Sequence, residues 1–159
     1  MLTGFGYDIH KLVKGRPLML GGIKVPYPKG LLGHSDGDVL LHAVVDAVLG
    51  ALGLGDIGEH FSDKDSRFKG ADSRLFAEEA RRLLKKKKLH IANIDTTLVA
   101  EKPLLKFFKP KMRASLAKIF GVSESRVNVK AKTNEGLGAL GRGQAIACFA
   151  VVTLHGEKK

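Results

Sequence analysis

With 159 residues, 27 of them Lys or Arg against 16 Asp or Glu, the chain carries a formal net charge of +11, 44% hydrophobic residues and no Trp. That length suits one compact domain with a real core, and the composition excludes a disordered tail, a collagen-like repeat and a disulfide miniprotein. No run reaches the ~18 apolar residues of a membrane span and MLTGFGYDIH lacks the regions of a signal peptide, so a soluble, cytoplasmic protein is expected.

GFGYDIH and then LMLGGIKV read as short strands, the latter around a Gly-Gly turn, and PYPKG breaks the pattern. Ser35 or Asp36 is a candidate N-cap for a helix running to Gly50–Gly55, apolar almost all round and therefore buried. Residues 55–71 show no apolar period and read as a long loop, of the kind that in a compact domain is usually functional. A second helix starts at Asp72 or Ser73 and runs to about Lys87, with Leu75, Phe76, Ala80, Leu83 and Leu84 as its stripe. HIANIDTTLVAE alternates as a strand. Phe108, Met112, Leu116 and Ile119 mark a third helix closed by Gly121. Val127, Val129 and Ala131 form a further strand, NEGLGALGRG a Gly-rich loop, and Ala145 to Leu154 a central strand holding Cys148, read as a buried small hydrophobe. This order implies an α/β layer sandwich.

The charge is uneven. Residues 1–80 hold nine basic and eleven acidic side chains, and residues 81–159 hold eighteen and five. The basic half raises a polyanionic partner, but its clusters fall on predicted helices, where a solvated face is the plainer reading.

Asp8 and His10, two apart on a strand, leave the same face. On the buried helix, Asp38, His42 and Asp46 recur every four residues as one polar stripe, and buried ionisable groups need partners. Asp8, His10 and His42 together form an O,N,N set suited to Zn²⁺ with an open fourth position, and Asp46 is placed to orient the His42 ring. Spacing alone leaves a capped helix with an incidental histidine equally open. Gly33-His34-Ser35-Asp36 enters the same helix and points to an anion there, with plain capping as the alternative. Lys130-Ala131-Lys132-Thr133-Asn134-Glu135 leaves a strand for the Gly-rich loop ending at Arg142, combining phosphate-binding residue types with a carboxylate for a hard cation. No Walker loop is present.

GYDIH at 6–10, GGIKVPYPKGLLGHSDGDVLLHAVVDAVLGALGLGDIG at 21–58, FSDKDSRFKGADS at 61–73 and VNVKAKTNEGLG with GRG at 127–143 resemble the 2-C-methyl-D-erythritol 2,4-cyclodiphosphate synthase family of the non-mevalonate isoprenoid pathway. The likeness implies a single-domain α/β (α+β) layer sandwich over 1–159, a mixed β-sheet with helices on one face, and a homotrimer with active sites between subunits. It implies conversion of 4-diphosphocytidyl-2-C-methyl-D-erythritol 2-phosphate to the cyclic diphosphate and CMP. By the same resemblance Asp8, His10 and His42 bind Zn²⁺, Glu135 holds a second cation, Mg²⁺ or Mn²⁺, and His34 and Thr133 stabilise the transition state. Ser35 would contact phosphate, Asp56, Ile57 and Gly58 the sugar, and Phe61, Asp63 and Asp65 would belong to a closing loop. Ala100, Pro103, Leu105 and Lys106, with Ala131 to Thr133, would hold the cytidine end of a neighbouring subunit's substrate.

The chain departs from the family pattern in places. Ala139 stands where many members have Phe at a central cavity proposed to admit an isoprenoid diphosphate, beside Arg142, and Gln144 replaces a common acid. Lys132 replaces a frequent Thr, and Leu104 a frequent Lys. The readings from other classes are a nucleic-acid-binding module, which lacks interleaved aromatics, and another metal-dependent phosphoesterase on the same scaffold.

Overall fold

The computed structural model describes residues 1–61, 68 and 70–156. Its centre is a five-stranded mixed sheet. Strand β1 (Leu2–Lys14) runs antiparallel to both β4 (Lys29–Leu32) and β7 (Ala145–Gly156). Strand β5 (Leu89–Val99) is antiparallel to β7 and parallel to β6 (Val127–Lys132). The Gly-Gly turn forms as expected: Gly21 and Gly22 both take positive φ and join β2 (Leu18–Leu20) to β3 (Ile23–Val25).

Helix α1 (Val39–Leu52) is buried nearly all round and packs on β1 and β7. Close approach explains two glycines: a Cβ on Gly4 or Gly6 would collide with the Ala47 or Ala43 carbonyl oxygen. Two residues along a strand advance roughly 6.8 Å and four along a helix roughly 6 Å, so the two elements stay in step. One more such step along β1 brings Asp8 to the turn of α1 that carries His42.

Helix α3 (Arg74–Lys86) packs on α1 and on α4 (Lys109–Phe120), all on the same side of the sheet. Lys85 and Lys86 sit in the last turn of α3, where cations suit the helix dipole. Gly121 closes α4 in the left-handed region, as its sequence position suggests. The core between sheet and helices includes Leu20, Leu31, Leu41, Ile94, Met112 and Ile146. On the opposite face, Phe5, Tyr7, Ile9, Phe149 and Val151 are exposed, with the Tyr7 and Phe149 rings 5.0 Å apart.

Several sequence expectations need correction. The N-cap of α1 is Asp38, not Ser35 or Asp36: its carboxylate accepts from Leu40 N and Leu41 N and also from Gly21 N and Gly22 N, so the helix start is tied to the β2–β3 turn. Residues 55–71 are not all loop, because α2 (Ile57–His60) forms behind an Asp56 cap. β4 begins inside PYPKG, at Lys29, where the sequence suggested only a break. A short helix α5 (Gly138–Gly141) interrupts the Gly-rich loop. Among the described residues, no helix is long and apolar enough to cross a membrane.

Candidate metal centre and active site

Asp8 Oδ2, His10 Nε2 and His42 Nδ1 converge. Asp8 Oδ2 lies 2.9 Å from each imidazole nitrogen, and those nitrogens are 3.1 Å apart. The far nitrogens of both rings have partners of their own. His42 Nε2 lies 2.8 Å from Ser73 Oγ, which itself donates to Asp36 Oδ1, so Ser73 accepts from His42 Nε2–H and Nδ1 is the atom turned to Asp8. His10 is likewise bonded to the backbone of Leu32.

One carboxylate oxygen and two imidazole nitrogens gathered at one point suit a cation. A tetrahedral ion with bonds of ~2 Å would separate its donors by roughly 3.3 Å, within a few tenths of an ångström of this arrangement. The donor set therefore fits a divalent metal. Burial alone would raise the Asp8 carboxyl, but the hydrogen bonds and charges of His10 and His42 hold it well below the usual carboxylate range. Burial would lower His10, but the Asp8 hydrogen bond and charge, with the Leu32 bond, raise it above its ordinary value against the opposing charge of Arg16.

Asp46 does not orient His42 as the stripe suggested. Its Oδ1 accepts from Ile57 N at 3.1 Å, anchoring α2, while Ser73 and Ser35 hold the ring's far nitrogen. Sequence reasoning saw Ser73 only as a helix cap. It occupies the N-cap position of α3 without a capping bond, and Asp72 takes the Arg74 N–H instead. A residue of capping type at a helix start that makes no cap is the signal, and only the fold shows it. Removing the hydroxyl in Ser73→Ala should weaken divalent-metal binding about 10–100-fold, as loss of partners behind a metal ligand does, measured by chelator competition.

The donors open into a cavity of about 370 Å³ bordered by His34, Ser35, Ile57, Gly58 and Phe61. Its inner wall is aromatic, with Phe76 4.5 Å from Phe61 and 5.8 Å from the His42 ring, centroid to centroid. Asp56 lies on the adjoining opening with Asp46 and Tyr7. Asp63 and Asp65 lie outside the described residues.

The other predicted residues gather elsewhere. Ala100, Pro103, Leu105, Lys106, Ala131, Lys132 and Thr133 line a separate groove of about 300 Å³, joined by Leu104 and Lys109. Asn134 N donates to Glu101 at 3.0 Å, and Thr133 Oγ1 donates to Glu135, whose φ of 50° is left-handed. Strand register measures the gap: Asp8 pairs with Cys148, Cys148 with Leu98, and Leu98 with Ala131. Asp8 and Ala131 thus share one row at three strand spacings, roughly 14 Å. Within one chain Thr133 and Glu135 do not join the Asp8 cluster. Arg142 caps the end of α5, beside a third cavity of about 470 Å³ that Ala139 and Gln144 border.

A family profile described as the YgbB family matches residues 1–155. The chain belongs to the YgbB family. Over 155 residues it is 55% identical to the 2-C-methyl-D-erythritol 2,4-cyclodiphosphate synthase of Geobacter metallireducens, covering 98% of this chain and 99% of that protein. The protein of the same name from Paraburkholderia phytofirmans is 54% identical over 151 residues, 95% of each chain. Among solved structures, a 2C-methyl-D-erythritol-2,4-cyclodiphosphate synthase in a CDP-bound form superposes with a TM-score of 0.89 at 38% identity, covering 96% of this chain and 99% of that one. The bifunctional IspDF of Campylobacter jejuni gives 0.91 at 43% identity, where the match spans 96% of this chain and 42% of the larger protein.

Proposed function

We propose that residues 1–159 act as one cyclodiphosphate synthase domain, converting 4-diphosphocytidyl-2-C-methyl-D-erythritol 2-phosphate to 2-C-methyl-D-erythritol 2,4-cyclodiphosphate and CMP. The observation that carries this reading is the convergence of Asp8, His10 and His42 beside the His34–Ser35 turn. An oxygen of the substrate's 2-phosphate bonds to the β-phosphorus while the bond from that phosphorus to the bridging oxygen breaks, and the bridging oxygen leaves with CMP. Substrate supplies both nucleophile and leaving group, so the protein's task is positioning and charge stabilisation.

Asp8, His10 and His42 would hold zinc and Glu135 a second cation, Mg²⁺ or Mn²⁺, which would supply polarisation of the phosphoryl oxygens and neutralisation of the diphosphate. His34 and the Thr133 hydroxyl donate to phosphate oxygens as charge moves towards CMP, and Ser35 contacts a phosphate. Asp56, Ile57 and Gly58 hold the sugar, and the aromatic wall that includes Phe61 keeps that end dry. Ala100, Pro103, Leu105 and Lys106, with Ala131 and Lys132, receive the cytidine end. A structural neighbour described as the Plasmodium falciparum IspF CDP complex, 36% identical with a TM-score of 0.87, supports a cytidine diphosphate ligand.

Two half-sites roughly 14 Å apart on one chain call for a second copy to close them. The exposed Phe5, Tyr7, Ile9, Phe149 and Val151 face supplies an apolar surface for such contact, and a homotrimer accounts for both features. Under that arrangement the Ala139 cavity faces the shared centre and, without a Phe side chain, leaves room for an isoprenoid diphosphate near Arg142. Incubating the protein with the proposed substrate and Mg²⁺ should release CMP and the cyclic diphosphate in equal amounts by ³¹P NMR. CMP accompanied by an uncyclised phosphate product would replace this reading with a hydrolase.

A further inference from the structure

The His34–Ser35 turn is held from behind by a residue that no motif marks. Arg16, between β1 and β2, donates from Nη1 to the Gly33 carbonyl at 3.1 Å and from Nη2 to the Ser35 carbonyl at 2.5 Å. The carbonyl between them, that of His34, accepts from Gly70 N at 2.7 Å. Three consecutive carbonyls are therefore drawn onto donors behind the turn, while His34 and Ser35 border the cavity. The arginine is itself anchored. Gly30 lies so close beneath the Arg16 and Pro17 carbonyls that any Cβ there would overlap them, which presses the Arg16 backbone onto β4.

We infer that Arg16 is a positioning residue for the anion-binding turn, its planar guanidinium spanning His34 to fix the direction in which the imidazole and the Ser35 hydroxyl face substrate phosphate. A fork is needed for this. Two carbonyls on either side of one residue require two donors in a fixed plane, which Lys cannot provide. The inference rests on the proposed roles of His34 and Ser35, and its test separates the two.

Arg16→Met and Arg16→Lys are compared with the wild-type chain by steady-state kinetics, zinc binding and amide hydrogen exchange. In both variants exchange of the amides of residues 33–36 should rise about tenfold while those of Tyr7 to His10 in β1 keep their protection. Both should retain one zinc per chain and lose about 10–100-fold in kcat/KM, the usual effect of removing a supporting hydrogen-bond partner. Unchanged exchange in the turn, faster exchange with undiminished kcat/KM, or an Arg16→Lys protein equal to wild type in both readings overturns the inference. Acceleration spread equally over β1 also overturns it, since that is general loosening. If the wild-type chain releases no CMP, the reaction assignment fails while the exchange comparison still decides whether Arg16 fixes the turn.

Discussion

His42→Ala protein should fold, bind zinc weakly and cyclise substrate roughly 10³-fold more slowly than wild type. Losing a ligand forfeits several kcal/mol of charge stabilisation at the phosphoryl group, and each 1.36 kcal/mol is a factor of ten in rate. Survival of the fold follows from His42's place at the edge of the core: its ring touches Asp8, Ser73 and Phe76, while the apolar contacts of α1 come from its neighbours. Zinc content, thermal unfolding and CMP release measured on one preparation separate loss of metal from loss of structure. A variant stripped of zinc yet as active as wild type would refute the metal assignment.

The largest loss of stability is expected at Asp38. Its fully buried carboxylate accepts from Leu40 N and Leu41 N at the start of α1 and from Gly21 N and Gly22 N at 2.8 and 2.6 Å. Loss of an N-cap costs about 1 kcal/mol, and each buried donor left unpaired about 1–3 kcal/mol. Asp38→Ala should therefore lower unfolding free energy by roughly 3–5 kcal/mol, read from urea midpoints at unchanged slope. Asp38→Asn keeps one acceptor oxygen and should lose less than half as much. A shift below about 1 kcal/mol for the alanine variant would show that water replaces the carboxylate. Because the same bonds seat the first turn of α1, the alanine variant should also lose metal affinity.

Much of this was legible because local pattern and tertiary need agree. Apolar positions three and four apart mark α3 and α4, a nearly unbroken apolar stretch marks α1, alternation marks β5, and the Asp8-x-His10 pair on one strand face with His42 on a buried helix already suggests a metal set. Capping was less legible. Ser35, Asp36 and Asp38 are all capping types within four residues, and the choice among them depends on Gly21 and Gly22, distant in sequence and close in space. Asp46 and Ser73 exchanged expected roles for the same reason: helix periodicity places a side chain on a face without naming its partner. Arg16 carries no motif at all, because its function lies in reaching two carbonyls seventeen and nineteen residues away. The division of the site into two halves needed the register of four strands, which spacing along one chain does not encode.

The most direct measurement is a zinc titration of chelator-stripped protein at constant Mg²⁺, with products identified by ³¹P NMR. Turnover should rise to a plateau at one zinc per chain, yielding CMP and the cyclic diphosphate in equal amounts throughout. Full cyclisation without zinc, or CMP released alongside an uncyclised phosphate, would contradict the account.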